Sequence, residues 1–407
     1  MRCELMSTRL YIILLIISIS IIIFYTVFST TMIHKTIQLP SQEQYEELEK
    51  QYSTTLKCSC TNISISYGDF FQISPVYHQI CSSDFIKPWW YKQLVTSKPS
   101  NLFNAFRSTA SSHFQMLATL CELANLTVID ATRRFFSTYF INSEVPSSDL
   151  FASQTQAILN TFISSTQDEF IYIPSMVRTA LHANQYVSFE NTNSEIIAWD
   201  SRRYGISSEN PLQLFPFSKI ITLDNNKTCI CARNSSCTTL ATLNNLPTIY
   251  GLRTGCFIID SVFQSSLACW YNSSCWKDIL EDFHYGGAMI PNNMNLLDTT
   301  QISKFPPNTA IEIIVRNIMI EQWNTSASYN NFYQKCHPAY CLYNYQEKTN
   351  AVFLLATIIG LIGGLNVILR LISPLIINMF FKNTNIIAPD NLPQAWTTHK
   401  ITNRKSK

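Results

Sequence analysis

Residues 351–381, AVFLLATIIGLIGGLNVILRLISPLIINMFF, form an apolar segment of 31 residues that carries a single charge, Arg370. At 1.5 Å per residue, a straight helix of this length is about 46 Å long, whereas the hydrocarbon core of a bilayer is about 30 Å thick. The segment therefore predicts a transmembrane helix that tilts, breaks or continues as an interfacial extension after residue 370.

A second apolar segment lies near the other end of the chain. Residues 10–33, LYIILLIISISIIIFYTVFSTTMI, contain no charge, and about 20 apolar residues suffice to cross a bilayer. We expect a first transmembrane helix here. The alternative is a cleaved signal peptide, which normally has a shorter apolar core and an Ala-x-Ala-like cleavage site that this segment lacks.

Basic residues precede the first apolar segment and follow the second, and this sets the expected orientation. An acidic run, Glu43, Glu46, Glu47 and Glu49, follows the first segment. The positive-inside rule then predicts a cytoplasmic stub (1–9), an extracellular stalk (34–57), an extracellular domain (58–345) and a basic cytoplasmic tail (382–407), with the protein in the plasma membrane. The basic residues on the predicted cytoplasmic side are Arg2, Arg9, Lys382, Lys400, Arg404, Lys405 and Lys407.

Cysteine usage agrees with an extracellular domain. Cys3 lies in the predicted stub, and the other twelve cysteines fall between the apolar segments, which predicts up to six disulfides in an oxidising compartment. Zinc is a weak alternative, because the C-x-C pairs have one intervening residue instead of two or more. The twelve are Cys58, Cys60, Cys81, Cys121, Cys229, Cys231, Cys237, Cys256, Cys269, Cys275, Cys336 and Cys341.

Six N-x-S/T sequons also lie between the apolar segments, and they predict glycosylation of the outer domain. Their asparagines are Asn62, Asn125, Asn226, Asn234, Asn272 and Asn324.

The pattern of the central region predicts an α+β domain. Apolar residues recur every three or four positions within about 101–190, which favours helices, and Ser147 is a candidate cap for the second of them. Six cysteines crowd into about 224–280 among Asn/Ser turns, which is typical of disulfide-linked strands and loops. A capping box at Thr309 and Glu312 predicts a helix through Trp323, and the segment CHPAYC (336–341) predicts a small disulfide loop.

Several functional classes are disfavoured by composition. The chain is 46% hydrophobic and 14% charged, below the roughly 25% charge of soluble domains, and its formal net charge of +2 does not indicate nucleic-acid binding. The seven histidines are scattered, and no metalloprotease, hydrolase, phosphate-loop or calcium motif occurs. We expect no enzyme activity, no cofactor and no metal site.

The second apolar helix has two distinctive faces. Ala356, Gly360 and Gly364 repeat a small residue every fourth position, a pattern that lets helices pack closely in lipid and predicts a homo- or hetero-oligomer. Polar and small residues share a second face within about 80° of arc. That second face is formed by Gly363, Asn366, Arg370 and Ser373.

The polar face has two interpretations. In the first, the polar face lines a water-filled pathway. In the second, Arg370 lies at the cytoplasmic boundary and its side chain extends to the interface, so that only Asn366 requires a partner within the membrane.

The arrangement resembles the degenerin/epithelial sodium channel and acid-sensing channel family. The residues 358–364, IIGLIGG, are similar to the G-x-I-G-G core at the start of that family's second span. In this register the family's Gly-x-Ser filter falls on Leu371, Ile372 and Ser373, which keep only the serine. In a second register GLIGGLN (360–366) places Asn366 at the filter serine and Ile372 at an expected acid, and the His-Gly pair before the first span is absent.

The resemblance implies a trimer of subunits around a cation pore. The body of the outer domain, including GCFIIDSVFQSSLACWYNSSC (255–275), looks more like uncharacterised two-pass invertebrate surface proteins. The sequence thus predicts an integral membrane protein with two transmembrane helices flanking a disulfide-rich α+β extracellular domain. Its expected function is a subunit of a ligand- or proton-gated ion channel, and the alternative is a non-conducting receptor or adhesion protein; both imply an extracellular ligand of unknown identity.

Overall fold

The computed structural model describes residues 2–28, 30–95, 97, 105–185, 192–200, 212–243, 246–291, 294–348 and 351–382. The basic tail after Lys382 lies outside these residues. The chain divides into two compact units, a terminal unit (1–57 and 340–407) and a central unit (58–339).

Helices and strands alternate irregularly along the described chain. The helices are α1 (Arg2–Phe28), α2 (Gln42–Tyr52), α3 (Pro88–Leu94), α4 (Phe106–Phe136), α5 (Ser148–Asn184), α6 (Ile258–Gln264), α7 (Ser273–Tyr285), α8 (Ile311–Arg316), α9 (Tyr329–Cys336) and α10 (Ala351–Lys382). The strands are β1 (Thr30–Gln38), β2 (Lys57–Cys60), β3 (Ser64–Ser66), β4 (Phe71–Tyr77), β5 (Tyr139–Ile141), β6 (Ser194–Asp200), β7 (Leu212–Ser218), β8 (Ile220–Thr222), β9 (Thr228–Ile230), β10 (Thr238–Leu243), β11 (Leu246–Gly255), β12 (Ile320–Ala327) and β13 (Pro338–Lys348).

In the terminal unit, an antiparallel ladder connects directly to the two long helices. β1 pairs with β13 from Thr30↔Lys348 to Gln38↔Tyr340. The ladder starts two residues after α1 ends and stops three residues before α10 begins. α1 packs against α10, so both helices leave the ladder from the same end.

The first helix differs in its bounds from the predicted segment 10–33. α1 begins at Arg2 and ends at Phe28, and residues 30–33 belong to β1. Apolar composition alone does not locate this helix end, because the four strand residues are as apolar or β-branched as the helix before them. α10 matches the predicted second helix, and it is long and apolar enough to cross a membrane, as α1 is.

The predicted stalk (34–57) contains β1 and the short helix α2. Ser41 and Gln44 form a capping box at the start of α2. Tyr45 is buried, and the ring of Tyr52 stacks on Tyr343 of β13 at 4.6 Å between centroids. α2 is therefore a packed helix rather than a solvated one.

The central unit is built around aromatic side chains from helices and loops. Phe85, Trp90, Phe114, Trp270 and Phe283 are all fully buried. The antiparallel strand pairs β4/β12, β3/β5, β6/β7, β8/β9 and β10/β11 complete this α+β unit. Each ladder has only two strands among the described residues, so helix and side-chain packing provide most of its core.

The predicted helical region (about 101–190) contains the two longest helices of this unit. The apolar residues that recur every three or four positions on α4, such as Leu117 and Ala124, are buried. Ser147 caps α5, because its hydroxyl accepts a hydrogen bond from the Leu150 N–H at 3.2 Å. Both sequence-based expectations are confirmed.

The prediction of up to six disulfides is confirmed, since all twelve cysteines are disulfide-bonded. The small loop expected from CHPAYC is wrong, because Cys336 bonds to Cys60, and the chain after His337 is extended in β13. Further pairs are Cys81–Cys121, Cys229–Cys237, Cys231–Cys256 and Cys269–Cys275, while Cys58 and Cys341 are also bonded.

The helix predicted from Thr309 to Trp323 is confirmed only over Ile311–Arg316, and the capping box expected at its start is wrong. α8 ends at Arg316, and its N-cap is Ala310, without a side-chain cap. Ile318 and Met319 adopt positive φ angles of 54° and 55°, which end the helix and direct the chain into β12. Trp323 therefore lies in a strand that pairs with β4.

Candidate functional site

Asn366, on the predicted polar face of α10, has a partner on α1. The hydroxyl of Tyr11 donates a hydrogen bond to the side-chain oxygen of Asn366. Tyr11 lies 17 residues before Phe28, and Asn366 lies 15 residues after Ala351, so the pair is about 22–26 Å along each helix from the ladder. Both residues fall within the candidate membrane spans, Leu5–Tyr25 and Ile358–Met379.

The predicted polar face of α10 is divided by the structure. Asn366 is half-buried and Ser373 is buried, and the Ser373 hydroxyl donates to the Leu369 carbonyl at 2.7 Å. Gly363 and Arg370 are exposed. Two of the four predicted residues therefore have protein partners, and the other two lie on an open surface.

The small-residue face of α10 is not packed against the rest of the described chain. Ala356, Gly360 and Gly364 are exposed, and a Cβ atom added to Gly360, Gly363 or Gly364 would meet nothing within 4 Å. At 100° per residue, this face is about 80–160° around the helix from Asn366. The contact with α1 thus leaves the face available to a further helix.

One arginine on each long helix lies at the same distance from the ladder. Arg9 is 19 residues before Phe28, and Arg370 is 19 residues after Ala351. At 1.5 Å per residue, both are about 28 Å along the helix, close to the thickness of the hydrocarbon core.

The central unit contains a buried charge cluster that sequence reasoning missed. The Asp260 carboxylate on α6 is fully buried and contacts Arg178 at 2.6 Å and the Nε2 atom of His182 at 2.7 Å. Both partners lie on the last turns of α5, so the cluster fastens α5 to α6. The sequence did contain a sign of this cluster, since Asp260 is a lone acid within the apolar run 257–263. A carboxylate buried in such a run requires a charged or hydrogen-bonding partner.

Two buried histidines also lie in the central unit. Burial lowers the pKa of His113 on α4 to about 3. Burial also lowers the pKa of His78, and the negative charge of Glu321, 3.6 Å away, partly opposes this effect. No group of three or more metal-ligating side chains occurs within the described part of the chain.

The six sequon asparagines are all exposed, as glycosylation requires. In Asn62, Asn234 and Asn272 the side-chain oxygen accepts a hydrogen bond from the backbone N–H two residues later, at 2.9–3.3 Å. The amide nitrogen, to which a glycan is attached, takes no part in these bonds. Glycosylation stays a prediction.

Comparison with known proteins does not place the chain in a family. No protein-family model, no curated protein and no solved structure matches it. The resemblance to degenerin and acid-sensing channels therefore stays a prediction.

Proposed function

We propose that this protein is a two-pass cell-surface receptor or adhesion protein, without a pore of its own, that assembles through α10. The observation that carries the proposal is the hydrogen bond between Tyr11 and Asn366. An asparagine side chain in lipid needs a helix partner or water, and here a tyrosine of the same chain fills that role.

The proposed topology has both termini in the cytoplasm and the central unit outside. α1 and α10 leave one end of the β1–β13 ladder, so their other ends lie on the same side. Arg9 and Arg370, at equal distances from the ladder, would then mark the cytoplasmic boundary, as the positive-inside rule expects. The disulfides of the central unit suit an oxidising exterior.

The proposed assembly uses the open small-residue face of α10. Ala356, Gly360 and Gly364 allow backbones to approach closely, and in lipid such packing drives helix association. A second copy of α10 is the simplest partner, because the same face would then serve both chains.

A channel subunit is the second candidate function. Gly363 and Arg370 are both exposed, and in an oligomer built around α10 they would face either lipid or a shared central pathway. An arginine on such a pathway would oppose cation flow, which makes anion passage the more natural form of this candidate.

Cysteine accessibility separates the two functions. The single variants Asn366→Cys and Gly363→Cys, made in a Cys3→Ser background, are treated on intact cells with a membrane-impermeant thiol reagent. The receptor proposal expects no reaction at either position and no current during steps of external pH. Reaction at Gly363→Cys together with a whole-cell current would replace it with the channel function. Glycosidase treatment of the same cells checks that the central unit is outside.

A further inference from the structure

One polar groove of the central unit has a predicted glycan acceptor in its wall. Asn234, the asparagine of the sequon 234–236, lines this groove, which has a volume of about 340 Å³. The other walls come from the β8–β9 turn, the start of β10, β11 and the last residue of α6. Ligand sites usually measure about 300–1,000 Å³, so the groove fits a monosaccharide better than a branched glycan.

The acceptor nitrogen of Asn234 is available at the groove. Asn234 is exposed, and its side-chain oxygen accepts a hydrogen bond from the Ser236 N–H at 3.2 Å. This bond orients the amide and leaves its nitrogen for the bond to a sugar. The Ser236 carbonyl accepts a hydrogen bond from the side chain of Gln264 at 3.0 Å, so the sequon is held against the end of α6.

The charges that line the groove balance each other. Asp224 contacts Arg253 at 2.7 Å, and these two are the charged side chains among the described residues of the wall. A balanced pair favours neither an anion nor a cation. A neutral sugar suits such a wall, because each of its hydroxyls can both donate and accept a hydrogen bond.

The guanidinium of Arg253 is held in place and keeps donors for a ligand. Its Nε atom donates to the Thr238 hydroxyl at 2.9 Å, and its Nη2 atom donates to Asp224. The Thr238 hydroxyl in turn donates to the side-chain oxygen of Gln264 at 2.5 Å. Within the part of the chain that the structure describes, the Nη1 atom of Arg253 has no acceptor. A donor that is already oriented binds a ligand acceptor at a small cost in ordering.

We propose that the innermost N-acetylglucosamine of a glycan on Asn234 docks in this groove. Covalent attachment to the wall selects this occupant, because it gives the sugar a far higher effective concentration than a free ligand has. The Nη1 atom of Arg253 would donate to the acetamido carbonyl, and a sugar hydroxyl would share the Asp224 carboxylate. The proposal rests on the outside position of the central unit in the proposed function.

The rate at which peptide-N-glycosidase F releases each glycan from the folded full chain tests this proposal. The enzyme cleaves the bond between the innermost sugar and asparagine, so a docked sugar is protected until it leaves the groove. Asn226 is the matched control, because it is exposed in the same disulfide-rich segment but does not line the groove. We expect release from Asn234 to be about tenfold slower than from Asn226 on the folded chain, and equally fast after reduction and denaturation. Peptide mass spectrometry follows each site, because release converts asparagine to aspartate.

A groove-filling variant locates the protection. Asn225→Tyr places a ring in the groove and should make release from Asn234 as fast as from Asn226. Thr222→Tyr, at an exposed β8 position outside the groove, should leave the protection unchanged. Protection that Asn225→Tyr does not reduce would overturn the proposal.

The same measurement separates failure of this proposal from failure of the proposed topology. Equal release rates from Asn234 and Asn226 on the folded chain would overturn the docking alone. Asn234 without a glycan, while other sequons carry one, would do the same. Absence of glycans from all six sequons would overturn both the docking and the outside position of the central unit.

Discussion

The side chains of Tyr11 and Asn366 are joined by a hydrogen bond although 355 residues separate them in the chain. Tyr11 lies near the start of α1, and Asn366 lies in the middle of α10. The bond satisfies the amide of Asn366, which lies within a candidate membrane span, where an unpaired polar side chain would be costly. Substitution of either residue therefore tests the pairing of the two helices directly.

Loss of this hydrogen bond should weaken the helix pair modestly. Tyr11→Phe and Asn366→Leu should each reduce the stability of the solubilised full chain by about 1 kcal/mol, the size of measured interhelical hydrogen bonds in membranes. The double variant should be no less stable than the less stable of the two single variants, because each single variant already removes the same hydrogen bond. Unfolding titrations in mixed detergent micelles measure this, with Tyr25→Phe, an exposed tyrosine of α1, as the control. Additive losses would contradict the pairing.

The open glycine face should control assembly without affecting the single chain. In Gly360→Leu and Gly364→Leu the new side chains meet no atoms of the same chain near the Cβ position, so the chain should fold and reach the cell surface. The oligomer should dissociate, because the larger side chains keep the helix backbones apart. Single-molecule photobleaching in bilayers counts the subunits, and Ile372→Leu, exposed on α10 but about 80° away from the glycine face, is the control. An unchanged subunit count would mean that another surface assembles the protein.

Asn272 has a structural role that is separate from its sequon. Its side-chain oxygen accepts hydrogen bonds from the N–H groups of Ser274 and Cys275 and so caps α7. Asn272→Gln should remove both the glycan and the cap and cost about 1 kcal/mol more than loss of the glycan alone. Ser274→Ala should remove only the glycan. Gel mobility and chemical denaturation compare the two, and equal stability of both variants would rule out a role for the cap.

Acid should destabilise the central unit through its buried histidines. The folded-state pKa of His113 is about 3, against an ordinary value of 6.5, because burial disfavours the charged ring. Below pH 6.5 the unfolded chain therefore binds a proton that the folded chain does not, and stability is lost as the pH falls toward about 3. His78, whose pKa is also lowered, acts in the same direction. Each histidine contributes up to about 1.4 kcal/mol per pH unit.

Denaturation of the full chain between pH 7.5 and 4.5 measures this slope. His113→Phe should make the slope shallower, because the aromatic ring is kept and the titrating group is lost. His337→Asn, which replaces an exposed histidine at a positive φ angle that asparagine tolerates, is the control. A slope that His113→Phe leaves unchanged would assign the acid sensitivity to other groups.

The buried carboxylate of Asp260 should make the loss of its cation costly. Arg178→Met leaves that carboxylate with His182 alone and should cost about 3 kcal/mol. Arg178→Met combined with Asp260→Leu should cost less, because no buried charge then remains. Arg134→Met, which breaks the half-exposed pair with Glu169, should cost under about 1 kcal/mol. Chemical denaturation measures the free energy of unfolding of the three variants. A double variant that is less stable than Arg178→Met would contradict this account.

Local sequence patterns were enough to predict part of the fold. Apolar length predicted the two terminal helices, and the placement of twelve cysteines between them predicted the disulfide-rich unit. Periodicity predicted the buried face of α4, and Ser147 was recognisable as a cap because capping involves residues only three positions apart. These features depend on neighbours along the chain.

Contacts between residues far apart in the chain, by contrast, could not be predicted from local patterns. α1 ends at Phe28 because the chain then pairs with β13, beginning with Thr30 and Lys348. The disulfide loop predicted from CHPAYC does not form because Cys336 bonds instead to Cys60, which is 276 residues away in the sequence. Asn366 was recognised as a residue in need of a partner, but nothing near it in the sequence identified Tyr11. Composition and periodicity indicate which side chains of a segment must be buried or hydrogen-bonded. The residue that each of them contacts is fixed by long-range packing, which no local pattern encodes.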